Sequence, residues 1–154
     1  MRSENDHPVD RLTSLGYLVN HLARLMEQAL RHRIAQHGVV PGQFAQLLAL
    51  YEEDDTTQNA LCDKVRIDQS TMAHTLKRME RDRLIVRATD PQDRRRTRIT
   101  LTEHARDLEY PLIQAANEVN TAAVRGLSEA QITEFMRTLA LLVENLDDDR
   151  AGHE

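Results

Sequence analysis

Two long segments of this chain repeat apolar residues at a spacing of three and four, the spacing of one face of an α-helix. One segment runs from Leu12 to Ile34, and the other runs from Ile132 to Leu146. Ser128 and Gln131 precede the latter segment in the S-x-x-Q arrangement of a capping box. A further stripe of this kind is predicted on a fifth helix and comprises Leu108, Leu112, Ile113, Ala116, Val119 and Ala123. The three stripes together exceed what one compact lobe needs to bury, so we predict an intertwined helical homodimer. The alternative, that they pack only into the chain's own core, stays open at this stage.

Shorter elements lie between these helices. Gly38, as a left-handed residue, is expected to close the first helix, and Pro41 to open a second over residues 41–53. Two short helices follow, capped by Thr57 and Asp68 and separated by a tight turn at residues 65–68. The latter short helix has a polar and basic outer face, and its predicted inward face comprises Met72, Ala73, Leu76 and Met79.

A β-hairpin is predicted next. The stretch TRITL alternates polar and apolar residues with the period of a strand, and LIVRA supplies its partner. The connection TDPQDRRR places Pro91 at the second position of a turn, after Asp90, whose side chain can bond the backbone. Thr102 then caps a fifth helix, which Pro111 is expected to bend. The final stretch DDDRAGHE is expected to be disordered.

The charge of the chain is strongly segregated. The net charge is −5, but residues 64–106 hold twelve Lys or Arg against six acids, so this segment carries +6 and the remainder −11. A basic face on an otherwise acidic protein can be presented to a polyanion such as DNA while the acidic parts point away.

Several classes of protein are disfavoured by the sequence. No apolar run approaches a membrane span and the first residues lack a signal peptide, so we expect a cytoplasmic protein. Cys62 is the one cysteine, which fits a reducing compartment and a small buried side chain better than a redox role. We find no catalytic or phosphate-binding motif and no ligand spacing among the seven histidines, so we expect no enzyme, no cofactor and no metal.

The order of these elements, with a basic hairpin after two short helices, is that of a winged helix-turn-helix. The stretch LIVRATDPQDRRRTRITLTEHA resembles the wing signature of the MarR family of transcriptional regulators, D-x-R followed by a strand ending in Leu-Thr. Asp93, Arg95, Leu101 and Thr102 occupy those positions. The resemblance covers residues 9–148 and implies a mainly α fold with a small β-hairpin wing, flanked by long dimerisation helices.

The resemblance also implies a division of the chain. A single domain over residues 9–148 would comprise a winged-helix DNA-binding lobe at 39–102 and a helical dimerisation region at 9–38 plus 103–148. Residues 1–8 and 149–154 would be flexible tails.

The wing arginines are expected to contact DNA. A guanidinium is slim and permanently charged, so it suits the strong negative potential of a narrow A·T-rich minor groove. We predict that Arg95 enters this groove, and the resemblance implies that Asp93 pairs with Arg95 to fix its direction. Phosphate contacts are predicted for Arg94, Arg96 and Arg98.

The latter short helix is expected to enter the major groove, where each base pair offers a distinct pattern of donors and acceptors. The candidate DNA-binding residues on this helix are Gln69, Ser70, Thr71, His74, Thr75, Lys77 and Arg78. Many MarR relatives carry arginine at the place of His74, so the preferred bases cannot be copied from the family.

We therefore predict a homodimeric, ligand-responsive repressor that binds a pseudo-palindromic double-stranded DNA operator. The resemblance implies a small aromatic or lipophilic effector, in a pocket lined by Tyr17, His21, Phe44, Leu47, Tyr51 and Tyr110. These six residues are equally well explained as ordinary core or rim residues. The alternative function is a helical protein-interaction module that does not bind DNA.

Overall fold

The structure is a computed structural model that describes residues 10–152. The chain divides into two compact units, Met1–Val119 and Asn120–Glu154. The elements in chain order are α1 (Leu15–Ile34), α2 (Pro41–Glu52), β1 (Thr56–Thr57), α3 (Gln58–Val65), α4 (Gln69–Arg81), β2 (Ile85–Thr89), β3 (Thr97–Leu101), α5 (Glu103–Asp107), α6 (Glu109–Ala123) and α7 (Glu129–Ala151). The described residues are mainly helical, as predicted.

The first two helices begin and end at residues with clear local roles. Ser14 caps α1 by accepting a hydrogen bond from the backbone N–H of Tyr17 at 3.4 Å, so the helix begins three residues later than predicted. A single 3₁₀ turn at Ala35–His37 follows, and Gly38 closes it with a φ of 70°, which confirms the predicted left-handed residue. Pro41 is the first residue of α2, where its missing N–H costs nothing.

The two short helices are capped as predicted. Thr57 accepts a hydrogen bond from the Ala60 backbone N–H at 3.2 Å, and Asp68 accepts one from the Thr71 backbone N–H at 2.8 Å. On α4 the side chains of Met72, Leu76 and Met79 are fully buried in the core. Burial of each such side chain contributes about 1.5–3 kcal/mol, which fixes the face that α4 turns inward. Ala73 was predicted to belong to this face, but it is exposed. As the residue directly after Met72, it lies outside the buried face of the helix.

The predicted hairpin is formed by β2 and β3, which pair antiparallel with Val86 opposite Thr100. A third strand was not predicted. The two residues of β1 pair antiparallel with β3, placing Thr57 opposite Arg98, so the sheet has the order β1-β3-β2. Two residues are too short to show any periodicity, so only the tertiary structure reveals this strand.

The predicted fifth helix is divided in two rather than bent. Thr102 caps α5 as predicted, accepting a hydrogen bond from the Ala105 backbone N–H at 3.1 Å. The chain then breaks at Leu108, and α6 begins at Glu109 with Pro111 as its third residue. Proline has no N–H to donate to the carbonyl four residues earlier, that of Asp107, so the break falls where that bond would have formed.

The second unit contains α7, which has the predicted capping box. Ser128 accepts from the Gln131 backbone N–H at 3.2 Å, and the Gln131 side chain accepts from the Ser128 backbone N–H at 2.8 Å. The helix continues to Ala151, so the prediction of disorder from residue 147, or a flexible tail from 149, was wrong as far as 151. No glycine or proline interrupts the sequence between Ser128 and Gly152, so nothing ends the helix earlier.

The predicted tails at residues 1–8 and 153–154 lie outside the described residues. The predicted domain of residues 9–148, with a lobe at 39–102 and a dimerisation region at 9–38 plus 103–148, stays a prediction.

Candidate nucleic-acid interface

Most of the predicted major-groove residues lie on the outer face of α4 and are exposed to solvent. Gln69, Ser70, Thr71, His74, Lys77 and Arg78 are all exposed, whereas Thr75 is half-buried at the edge of the inward face. The helix is held from below by its buried methionine and leucine side chains. At its end, the buried side chain of Gln43 donates a 2.8 Å hydrogen bond to Asp82, which joins the start of α2 to the cap of α4. The polar face is therefore presented on a fixed backbone.

Thr71 is engaged in the cap of its own helix. Its hydroxyl donates a 2.7 Å hydrogen bond to Asp68, in addition to the bond from its backbone N–H. These two hydrogen bonds to Thr71 lower the pKa of Asp68. The Thr71 hydroxyl proton is thus already used, which leaves an oxygen acceptor and a methyl group for any contact with a base.

Gln69 belongs to a chain of side-chain amides that begins on α3. The Gln58 amide donates to the Gln69 side-chain oxygen at 3.1 Å, and the Gln69 amide donates to the Asn59 side-chain oxygen at 2.8 Å. Sequence reasoning missed Gln58 and Asn59. They lie eleven and ten residues before Gln69, respectively, and the helix-turn-helix spacing was the signal that could have joined them to it. The first turn of α3 therefore orients the first residue of α4.

The wing turn is built around two aspartates. The Asp90 backbone N–H donates to the Arg96 carbonyl at 2.9 Å, and the Asp90 carboxylate accepts from the Gln92 backbone N–H at 2.8 Å, as predicted for a turn residue before Pro91. Asp93 accepts a 3.0 Å hydrogen bond from the Arg95 backbone N–H. This arrangement shapes the tip from which three consecutive arginines project.

The side chains of Arg94, Arg95 and Arg96 are exposed at the wing tip. Asp93 was predicted to pair with the Arg95 guanidinium, but its carboxylate lies 3.4 Å from Nε of Arg96 instead. Asp93 fixes Arg95 through the backbone, because the tight turn brings the Arg95 N–H to the carboxylate. Within residues 10–152, neither the Arg94 nor the Arg95 guanidinium has a carboxylate within 4 Å.

Two arginines at the base of the wing are bound within the chain. Arg98 was predicted to contact phosphate, but its guanidinium lies 2.7 Å from the Asp55 carboxylate and 3.7 Å from that of Asp90. The hydrogen bond to Asp55 raises the pKa of Arg98. Arg87 on β2 donates to Glu80 at 2.8 Å and joins the hairpin to the last turn of α4, which lowers the pKa of Glu80. In this conformation both guanidiniums therefore stabilise the fold by binding carboxylates of the same chain.

A polar cleft of about 160 Å³ separates the first turn of α3 from the wing. It is lined by Thr57, Gln58, Asn59, Arg95, Arg96 and Thr97. Gln58 and Asn59 contact Gln69 of α4 through hydrogen bonds, and they also line the cleft together with the wing residues Arg95 and Arg96. The exposed polar groups of α4, α3 and the wing thus form one surface.

The six predicted effector-pocket residues occupy different environments. Tyr17 and His21 are exposed on α1 and stack with ring centroids 6.1 Å apart. Phe44 and Leu47 are buried in the core, and the Tyr51 hydroxyl donates to the Ala105 carbonyl at 2.7 Å. Tyr110 is 74% exposed. None of the six lines the cleft beside the wing or two further clefts in residues 10–152, so an effector pocket made of these residues stays a prediction.

Residues 10–152 lack both a metal-binding cluster and a helix suited to crossing a membrane. No group of three or more His, Cys, Asp or Glu side chains is arranged to hold a metal ion. Among the same residues, no helix combines the length and apolar character that crossing a membrane requires.

Comparisons with known proteins agree with this geometry. Residues 37–96, which include α2 to α4 and most of the wing, match the model of the MarR family. YsmB of Bacillus subtilis strain 168, described as an uncharacterized HTH-type transcriptional regulator, is 27% identical over 135 residues, covering 88% of this chain and 92% of its own length.

Two solved structures share the fold. A MarR transcriptional regulator from Methanosarcina mazei Go1 superimposes with a TM-score of 0.78 at 29% identity, over 85% of this chain and 94% of that one. A regulator from Listeria monocytogenes, solved with a 26mer DNA, gives a TM-score of 0.80 at 23% identity, over 89% and 91% of the two chains. These proteins are described as regulators and not as enzymes.

The basic outer face of α4 and the arginine-tipped wing, together with these matches, define a winged-helix transcriptional regulator of the DNA-binding class. The chain is similar to the MarR family over residues 37–96 and to a solved MarR transcriptional regulator over 85% of its length.

Proposed function

We propose that this regulator binds a pseudo-palindromic operator as a homodimer, with α4 of each protomer in a major groove and each wing in the adjacent minor groove. The observation that carries the proposal is the exposed basic surface of α4 and the wing tip, supported from behind by fully buried side chains. An α-helix fits the major groove, and a guanidinium fits a narrow minor groove.

The individual contacts follow from exposure and remaining hydrogen-bond capacity. Gln69, Ser70 and His74 are exposed and suited to base edges or nearby phosphates, whereas Lys77 and Arg78 are suited to phosphates. Arg95 is the proposed minor-groove residue, and Arg94 and Arg96 are proposed to contact the flanking backbone. Arg98 is not included, because its guanidinium is bound to Asp55.

Exposed apolar surface supports the homodimer. On α1, Leu15, Leu18, Leu22 and Leu25 are between 42% and 58% exposed. On α7, Phe135, Met136 and Leu146 are 50%, 58% and 71% exposed, and none of the helix residues is buried. Large apolar side chains in this number are typical of a protein interface. A dimer would place two half-sites about 34 to 36 Å apart, the helical repeat of the duplex.

We further propose that this regulator represses transcription and responds to a ligand. A dimer seated on an operator excludes other proteins from the same DNA. An effector that binds the non-DNA-binding conformation more tightly would release it, by no more than its differential affinity for the two conformations.

The test uses duplexes selected by the purified protein from a random library, with affinity then measured against salt concentration. The logarithm of affinity should fall with the logarithm of salt, by about 0.9 per phosphate neutralised, and Arg95→Ala should weaken binding and make this slope shallower. Arg125→Ala, which removes the same charge outside the proposed interface, should change neither. If no duplex is selected and binding to duplex DNA does not depend on salt, the helical protein-interaction module becomes the better account.

A further inference from the structure

The guanidinium of Arg98 joins three parts of the first unit. It lies on β3, the central strand of the sheet. Its Nε donates to the Asp55 carboxylate at 2.8 Å, and Nη2 donates to the Asp55 backbone carbonyl at 2.8 Å and lies 2.7 Å from the second carboxylate oxygen. Nη1 lies 3.7 Å from the carboxylate of Asp90. One planar group thus contacts both the segment before β1 and the start of the wing turn.

Both carboxylates are themselves fixed in place. Asp90 is 7% exposed, and it holds the wing turn through the Gln92 and Arg96 backbone bonds described above. Asp55 has a φ of 57°, a left-handed conformation that aspartate and asparagine adopt more readily than most residues. Its backbone carbonyl is also bonded to Arg98, so the contact depends on that backbone conformation as well as on charge.

Backbone pairing alone holds the wing weakly to the rest of the lobe. The strand β1 is two residues long and pairs with β3 only at Thr56 and Thr57. A guanidinium with several donors in a fixed plane can supply directional bonds that this short pairing lacks. The contacts of Arg98 therefore add directional support to the wing, beyond this short pairing and the Arg87–Glu80 bond between the hairpin and α4.

We propose that Arg98, clamped by Asp55 and Asp90, is a positioning residue that sets the direction of the wing arginines relative to α4. This inference rests on the proposed function, in which α4 and the wing occupy neighbouring grooves at the same time. The clamp makes one conformation of the wing available before DNA binds, so less ordering is required when the complex forms.

The decisive variant is Asp55→Asn, because the two roles for Arg98 predict opposite results. If Arg98 contacted phosphate, removing its neutralising carboxylate would strengthen binding to DNA. If Arg98 positions the wing, the same variant weakens binding although the protein has lost a negative charge. Asparagine tolerates the left-handed conformation, so the backbone is preserved. Asp63→Asn on α3 is the matched control, and it removes one negative charge without touching the clamp.

A double-mutant cycle shows whether the effect acts through the wing. Arg95→Ala should reduce the affinity for the selected duplex by a smaller factor in the Asp55→Asn or Arg98→Gln background than in the native protein, with a coupling of at least about threefold. Lys77→Ala on α4 should reduce affinity by the same factor in every background. Stronger binding by Asp55→Asn, or independent effects of Asp55→Asn and Arg95→Ala, would overturn the proposal.

Hydrogen exchange of the free protein separates this inference from the proposed function. In Asp55→Asn the amides of Asp90 and Arg96, which form bonds within the wing, should exchange faster than in the native protein, while amides of α7 keep their rates. Denaturant unfolding shows that the variant is folded under the conditions of measurement. Unchanged exchange in the wing would refute the clamp even if the protein binds DNA, and faster exchange would support it even if no operator is found.

Discussion

The phenol of Tyr51, near the end of α2, donates a 2.7 Å hydrogen bond to the backbone carbonyl of Ala105 in α5. The two residues are 54 positions apart in the sequence. This bond joins the helix that precedes the α3–α4 pair to the helix that follows the wing.

Tyr51→Phe should destabilise the protein by about 1 kcal/mol, the usual net contribution of one such hydrogen bond. Chemical denaturation at neutral pH measures this value. If the free energy of unfolding is unchanged within error, water replaces the Tyr51 hydroxyl at no cost.

The same tyrosine predicts an alkaline transition. Burial, and to a smaller extent the charge of Glu109, raises the pKa of Tyr51 to about 12. Because the pKa is raised on folding, the contribution to stability is complete below the ordinary tyrosine pKa of about 10 and is lost as the pH rises through the folded value. An ultraviolet titration of tyrosinate should show a component near pH 12 that is absent from Tyr51→Phe.

Low pH should lower the stability of the first unit, because the Asp54 carboxylate becomes protonated. Partial burial by itself raises the pKa of this carboxyl, but hydrogen bonds from the Arg106 side chain and from the backbone N–H groups of Leu101 and Asp55 hold it below its ordinary value. Because the pKa is lowered on folding, the contribution to stability is present above about pH 4 and is lost as the pH falls through the folded value. The difference in unfolding free energy between the native protein and Asp54→Asn should therefore shrink as the pH falls below about 4. A constant difference would mean that the Asp54 charge contributes nothing.

His74→Arg should change the preferred bases of the operator. The side chain is exposed on the outer face of α4, and arginine can donate two hydrogen bonds to guanine where an imidazole can donate fewer. Selection of duplexes from a random library by both proteins makes the comparison, with His104→Arg on α5 as the control. An unchanged motif for His74→Arg would show that this position does not contact a base.

Leu146→Glu should dissociate the proposed homodimer. Leu146 is 71% exposed in the single chain and lies on the apolar stripe of α7, and a carboxylate there would be costly to bury in an interface. Sedimentation equilibrium should show a lower mass for this variant and a weaker affinity for the selected duplex. Thr133→Glu, outside the stripe on the same helix, should leave both unchanged. A monomeric native protein would contradict the homodimer itself.

Local signals in the sequence were sufficient to predict most of the elements. Thr57, Asp68, Thr102 and Ser128 all cap helices as predicted, because a cap involves residues only two or three positions apart. The hairpin was predicted from strict alternation, and Gly38 from its position after a helix. The division at Leu108 was harder to predict, because proline is tolerated in the first turn of a helix as well as in a bend.

Sequence reasoning missed contacts between residues that are far apart along the chain. Arg98 looked like one more wing arginine, and only the fold brings it to Asp55, 43 residues earlier. Gln58 and Asn59 were not recognised as part of the interface, because their contacts with Gln69 need the turn between α3 and α4 to fold first.

The sequence by itself determined most of the helices, the caps at Thr57, Asp68, Thr102 and Ser128, the hairpin and the concentration of positive charge between residues 64 and 106, since each depends on residue type or on spacing along the chain. The tertiary structure alone decided which of those charges remain exposed. Arg94 and Arg95 stay exposed at the wing tip, whereas Arg98 is bound to a carboxylate. The reason is that an ion pair depends on distance in space, and folding brings together charges whose separation in sequence gives no sign of it.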